Sequence, residues 1–164
     1  MLAMTPIIPG AKRMAEINRA GVKDHGVVTT LLIDIAKLEG WHPEVDRDRW
    51  DGTIAQLLDS DRWLFLLAYE EGEPAGLAVA NWSITLKGAR DQGRLMALIV
   101  EEGYRRRGVG TRLMEEMLSS ARRRGCQAFE ALVETTDETV AAFYTRFAGF
   151  QEKKMFVWPC EQGD

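Results

Sequence analysis

A mixed α/β (α+β) domain is what this sequence predicts, and three observations carry the prediction. The chain has 164 residues, enough for one ordinary domain and too few for two. Two short apolar runs around the turn Glu71-Gly72-Glu73-Pro74 read as an antiparallel hairpin. Beyond residue 94 the apolar spacing changes from strand to helix to strand to helix, the order of a parallel crossover. With 46% hydrophobic residues, 28% charged residues and only 5 Pro, the chain can form a core and is not a low-complexity or collagen-like sequence.

Residues 1–13 read as an extension, 14–158 as one domain and 159–164 as a tail. Weak alternation over 14–19 predicts a short strand that stops at Gly21, with Asp24 placed to cap the next element. From Val27 the positions Leu31, Leu32, Ile35 and Leu38 recur at helical spacing until Gly40. A second helix follows Pro43, with Val45, Trp50, Ile54 and Leu57 inward. The hairpin spans Trp63–Glu70 and Gly76–Leu86, and a further strand runs from Arg94 to Val100. Val109, Leu113, Met114, Met117, Leu118 and Ala121 form one helical stripe; 129–134 is a strand, 140–147 a helix and 156–158 a last strand. A right-handed crossover makes the strands at 95–100 and 129–134 parallel.

Charge narrows the function. The net charge of -4 argues against a nucleic-acid binder, which needs an excess of Lys and Arg. Between Glu101 and Gly125, however, seven Arg stand against four Glu, a local +3, so the rest of the chain carries about -7. The longest apolar runs fall well short of the roughly 20 residues a membrane helix needs. The first twelve residues lack a basic stretch followed by an apolar one, so no secretory signal and a cytoplasmic location are expected. Cys126 and Cys160 show no CxxC spacing, and His25 and His42 stand outside any metal motif, so no metal is expected.

The informative stretch is 95–112: a buried strand, the turn Arg105-Arg106-Arg107-Gly108-Val109-Gly110, then a helix beginning near Thr111. A helix start leaves backbone N–H groups unpaired and carries about half a positive charge. Glycines let an anion approach that backbone, and guanidinium groups add charge and bidentate donors. A Walker loop is excluded, because no Gly-x4-Gly-Lys-Ser/Thr string occurs. A dinucleotide fingerprint is disfavoured, because its third glycine is Leu113 here. Taken alone, the segment could also be a solvated turn whose glycines merely start a helix.

This loop resembles that of the GNAT family of N-acetyltransferases, whose pyrophosphate loop reads Gln/Arg-x-x-Gly-x-Gly/Ala after an apolar strand. Their second signature, a strand, a helix with an aromatic-Tyr pair and a Gly-Phe, is similar to 129–134, Phe143-Tyr144 and Gly149-Phe150. The resemblance covers residues 14–158 and implies a GNAT-like acyl-CoA N-acyltransferase fold, with a mixed central sheet, splayed fourth and fifth strands and flanking helices. It implies acetyl-CoA as co-substrate and an amine acceptor, a small molecule rather than a protein. The implied cofactor-binding residues are Leu98, Ile99 and Val100 on the fourth strand, Arg105, Arg106, Arg107, Gly108, Val109, Gly110 and Thr111 in the loop, Asp137 and Tyr144. Edge N–H and C=O groups around Leu98 to Val100 would pair with an extended pantetheine arm. Tyr144 is implied as general acid.

Four positions depart from the family pattern. The fourth-strand acidic residue is replaced by Met96 and Ala97, which leaves Glu134 as candidate general base and Glu101, Glu130 and Asp91 as alternatives. Asp137 stands where an asparagine is common, as a cofactor contact or an N-cap. One extra residue separates Tyr144 from Gly149-Phe150, and little chain follows them, so a homodimer is expected to complete a sheet edge. The missing carboxylate also motivates a second reading, a non-catalytic acyl-CoA binding or sensing module. Trp41 and Trp82 are candidates for an acceptor pocket or for closing the core. Glu44, Asp46, Asp48 and Asp51 either attract a polyamine or form the solvated acidic start of a helix.

Overall fold

The computed structural model describes residues 14–38, 47–86, 88–133, 138–149 and 151, with backbone alone over 35–38. Strand β1 (Glu16–Arg19) leads through a tight turn into helices α1 (His25–Leu38) and α2 (Arg47–Leu58). Strands β2 (Trp63–Glu70), β3 (Glu73–Thr85) and β4 (Arg90–Val100) follow, then α3 (Val109–Arg123), β5 (Phe129–Ala131) and α4 (Glu138–Thr145). The sheet order is β1-β2-β3-β4-β5, antiparallel from β1 to β4 and parallel between β4 and β5. Contacts divide the chain after Ala131 into a unit holding the whole sheet with α1–α3 and a unit holding α4.

The expected elements are present with shifted ends. Asp24 caps the first helical segment from inside it: its carboxylate accepts the Gly21 N–H at 2.8 Å. β4 starts at Arg90 rather than Arg94, because Arg90 to Gln92 pair with Thr85 to Ser83 in a ribbon longer than β2. β5 ends at Ala131, and Leu132 and Val133 carry no strand pairing. α4 begins and ends two residues earlier than the apolar spacing suggested. The boundary expected at 13/14 lies at the edge of the described residues; the strand at 156–158 and the boundary at 158/159 lie outside them.

Alternation along the strands gives the first unit two cores. Phe65, Leu67, Leu77, Val79 and Ile99 pack with Val28 and Leu31 of α1 and Ile54 of α2. On the opposite face α3 buries Val109, Leu113, Met114, Met117 and Ala121, each large apolar side chain contributing about 1.5–3 kcal/mol. Trp82 belongs to the core: it is 5% exposed, its ring lies 6.0 Å from that of Phe129, and Arg124 stacks on it at 5.6 Å. That wedge requires Gly93, where an added Cβ would overlap the Trp82 ring and sit 2.5 Å from Phe129 Cδ2. Gly93→Ala is expected to lower stability by about 1–3 kcal/mol through overpacking, read as a drop in Tm; an unchanged Tm would show that the ring yields freely.

Candidate functional site

β4 carries a bulge where it leaves β5. Val79 pairs with Ala97 and Ala80 with Leu95, so Met96 has no partner on β3 and stands 52% exposed. A bulge bends its strand and sharpens the local twist. The pairing with β5 ends at the same place: Gly93, Arg94 and Leu95 face Phe129, Glu130 and Ala131, and no described residue pairs with β4 on that side beyond Leu95. The pairing of β4 with β5 thus stops beside the bulge, at Leu95 and Ala131, where β5 itself ends.

The free edge can be assigned group by group. The Glu101 N–H donates to the Ala75 carbonyl at 3.0 Å, and successive residues of an antiparallel ladder turn their backbone groups to opposite sides. Ile99 thus faces β3, while Leu98 and Val100 turn theirs to the open edge. The Val100 carbonyl confirms the direction by accepting the Arg105 Nε–H at 3.1 Å. Of the three strand residues singled out by sequence, Leu98 and Val100 offer the edge; Ile99 spends its side chain in the core at 3% exposure.

The loop after β4 is shaped by two left-handed residues, Arg106 at φ 61° and Gly108 at φ 89°. A non-glycine residue there costs about 1–2 kcal/mol, a cost this turn carries at Arg106. Gly108 is the N-cap of α3, and its carbonyl accepts the Arg112 N–H at 3.1 Å. The Val109 and Gly110 amides then have no intrahelical acceptor, at the positive end of the helix dipole. Val109 is buried, anchoring the first turn against the sheet, and Thr111 is half-buried in the same turn.

The three adjacent arginines are all exposed but differently engaged. Arg105 is turned back to Val100. Arg107 reaches Glu70 Oε2 at 3.5 Å and lies over the Tyr104 ring at 5.4 Å. Among the described residues no ion pair or hydrogen bond holds Arg106.

Two supports were not foreseen. Glu70, at the end of β2 with its side chain only 11% exposed, fastens Arg107; nothing in its local sequence distinguishes it from any strand-end carboxylate. Gly76 faces the first turns of α3, where an added Cβ would lie 3.3 Å from Val109, 3.2 Å from Leu113 and 2.6 Å from the Ile99 carbonyl oxygen. A glycine inside a strand is itself a signal of close approach, and here it brings α3 down onto the sheet.

Of the candidate bases, Asp91 is bound by Arg124 at 2.8 Å and Arg62 at 3.4 Å, and Glu130 meets Arg94 at 3.4 Å. Glu101 follows directly on β4. Glu134 and Asp137 lie outside the described residues, as do Trp41, Glu44, Asp46 and Phe150. Asp51 lies 3.9 Å from Arg47 in the first turn of α2, so that acidic group is partly neutralised. Among the described residues no group of three or more His, Cys, Asp or Glu can hold a metal, and no helix is long and apolar enough to cross a membrane.

In the second unit, Tyr144 sits near the end of α4, half-buried, its ring edge-on to Phe143 at 5.1 Å. Phe143 also meets Phe147 at 5.3 Å and carries Arg146 over its face at 4.8 Å. Burial pushes the Tyr144 phenol above its ordinary value of 10.0, so it stays protonated, and able to donate, throughout the neutral range.

Residues 29–150 match the family model of the acetyltransferase (GNAT) family. The chain belongs to that family. It is 28% identical over 101 residues to an uncharacterised N-acetyltransferase of Methanocaldococcus jannaschii, a match covering 60% of this chain and 44% of the relative. The chain thus matches less than half the length of that relative. Among solved structures it is similar to an aminoglycoside acetyltransferase from an uncultured soil metagenomic sample, at TM-score 0.74 and 22% identity over 91% of this chain and all of that one. A ribosomal-protein-alanine N-acetyltransferase from Brucella melitensis superposes at TM-score 0.73 and 17% identity, over 90% of this chain and 100% of that one. A probable acetyltransferase reaches TM-score 0.80 at 17% identity, over 90% and 99%. At these identities the structural matches establish the fold, and with it the GNAT-like mixed sheet read from the sequence.

Proposed function

We propose that the chain transfers the acetyl group of acetyl-CoA to the nitrogen of a small-molecule primary amine. The observation that carries this reading is the edge of β4 at Leu98 and Val100, unpaired among the described residues on that side, running directly into the Arg105–Thr111 loop and the start of α3. An extended amide-bearing arm pairs with such an edge as an added strand would. A pyrophosphate matches the Val109 and Gly110 amides and the guanidinium groups beside them. Leu98, Val100, Arg106, Gly108, Val109, Gly110 and Thr111 would hold the co-substrate, which supplies the activated acyl thioester; Asp137 is assigned to it by sequence alone.

The neutral amine attacks the thioester carbonyl, an edge N–H of β4 polarises that carbonyl, and the C–S bond breaks to release CoA. An amine of pKa about 10.4 must first lose a proton, at a cost of about 4.6 kcal/mol at pH 7. Glu134 is the proposed acceptor of that proton, with Glu101 second, since arginines occupy Asp91 and Glu130. Tyr144 is the proposed donor to the leaving sulfur. The charge of about -7 outside residues 101–125 favours approach of a cationic acceptor. We also propose a cytoplasmic homodimer, because β1 is an edge strand with one described partner; light scattering giving 18.5 kDa would reject the dimer.

The missing carboxylate at Met96 and Ala97 supports one competing reading, an acyl-CoA sensor without catalysis. Thiol release from acetyl-CoA, measured across polyamines, aminoglycosides, amino acids and a peptide with an N-terminal alanine, separates the two. Amine-dependent release is expected, strongest with a small cationic amine. Binding of acetyl-CoA with no release for any amine would favour the sensor, and release with the peptide alone would replace the small-molecule acceptor.

A further inference from the structure

We propose that Arg105 is a positioning residue and not a phosphate ligand: its Nε–H closes the loop on the Val100 carbonyl, setting the turn and deciding which edge groups of β4 stay open. This rests on the acetyl-CoA reading of the site and assigns a role within it. The bond spans five residues at 3.1 Å and comes from Nε, the guanidinium nitrogen nearest the backbone. The intervening chain is a tight turn in which the Tyr104 N–H donates to the Glu101 carbonyl at 2.9 Å and the Arg105 N–H to the Glu102 carbonyl at 3.2 Å. Arg105 itself is extended, at φ -63° and ψ 153°, and Arg106 directly after it turns left-handed at φ 61°. The side-chain bond thus pins the chain just before its least favoured residue.

Two consequences follow. With one lone pair of the Val100 carbonyl taken by Arg105, the Leu98 N–H and C=O and the Val100 N–H are the edge groups without that competitor, which favours one register for an extended arm. With one donor of Arg107 engaged by Glu70 and the Nε of Arg105 by Val100, Arg106 is the guanidinium of the three whose five donors are all unengaged among the described residues, and it is assigned the anion.

Side-chain stereochemistry supplies a crossed test. The amide nitrogen of Gln stands the same number of bonds from Cα as Nε of Arg, so Arg105→Gln keeps the donor where it is and loses the charge. Arg105→Lys keeps the charge and puts the nitrogen one atom further out. CoA affinity is to be measured by calorimetry at low and high salt for both variants, for Arg105→Ala and for Arg106→Gln. Expected are Arg105→Gln within about twofold of the parent with an unchanged salt dependence, and Arg105→Lys and Arg105→Ala weaker by about three- to tenfold. Arg106→Gln is expected to be weaker with a flatter salt dependence. Retention by Lys with loss by Gln, or any other ranking of the two, overturns the assignment.

Hydrogen exchange of the unliganded chain over 98–110 reads the same bond without CoA. Protection of the Tyr104 and Arg105 amides should persist in Arg105→Gln and fall in Arg105→Lys and Arg105→Ala. If the parent binds no CoA, the functional reading fails, and the exchange ranking still decides whether Arg105 holds the loop.

Discussion

Tyr144→Phe is expected to lower turnover by about 10² to 10⁴, the range of a general acid, while CoA affinity and Tm stay near those of the parent. The substitution deletes one hydroxyl and keeps the ring that meets Phe143 at 5.1 Å, so the packing of α4 is preserved. A free phenol of pKa about 10 facing a thiol of about 8.5 makes complete proton transfer before bond cleavage uphill by roughly 2 kcal/mol. The proposed benefit is therefore a hydrogen bond to developing thiolate charge. Burial raises the phenol above its ordinary value, so loss of its proton would produce a basic limb in turnover only above about pH 10, and that limb should vanish in Tyr144→Phe. The sign for stability is the same. Because the folded value exceeds the unfolded one, the full contribution is present below about pH 10 and is lost as pH rises further, when the unfolded chain ionises first. Steady-state kinetics with thermal melts decides the matter: equal losses of turnover and Tm would make Tyr144 a structural residue, and unchanged turnover would leave water as the proton donor.

The sequence disclosed what local chemistry encodes and hid what tertiary contact creates. The stripe Val109, Leu113, Met117 is a helical signal in itself, and the glycines at 108 and 110 announce a helix start that a backbone-seeking ligand can approach. By contrast, Leu95 to Val100 is an unbroken apolar run. Without alternation, nothing marks Met96 as the residue that slips out of register, and the bulge in β4 is invisible. The three arginines likewise look equivalent in the sequence. Val100 is five residues from Arg105, whereas Glu70 is thirty-seven residues from Arg107, and only folding gives the two guanidinium groups different partners. Asp91 reads as a free acid near a strand, yet the end of α3 brings Arg124 onto it.

Substitution at Gly108 and Gly110 should separate the two reasons for glycine in the loop. Gly108 sits at φ 89°, where an added Cβ meets nothing within 4 Å, so a side chain there is opposed by the backbone and not by crowding. Gly108→Val must leave the left-handed region or stay strained, costing about 1–2 kcal/mol, and should lower both Tm and CoA affinity. Gly108→Asn tolerates the left-handed conformation and should recover most of the Tm. Gly110 is not among the glycines of positive φ and lies in the first turn of α3, so a side chain fits its backbone. Gly110→Val should therefore melt within a few degrees of the parent, yet bind CoA about a hundredfold more weakly, equivalent to about 2.7 kcal/mol, because the branched side chain shields the amides a pyrophosphate must reach. Calorimetry at low and high salt reads both effects, and the affinity of the parent should itself fall with added salt as the guanidinium groups are screened. Undiminished affinity in Gly110→Val would place the anion elsewhere and remove the loop from the site. A loss of Tm as large as that of Gly108→Val would show that Gly110 serves packing. The expected contrast, stability and binding falling together at Gly108 and binding alone at Gly110, is what a turn that both shapes a helix start and exposes it to a ligand requires.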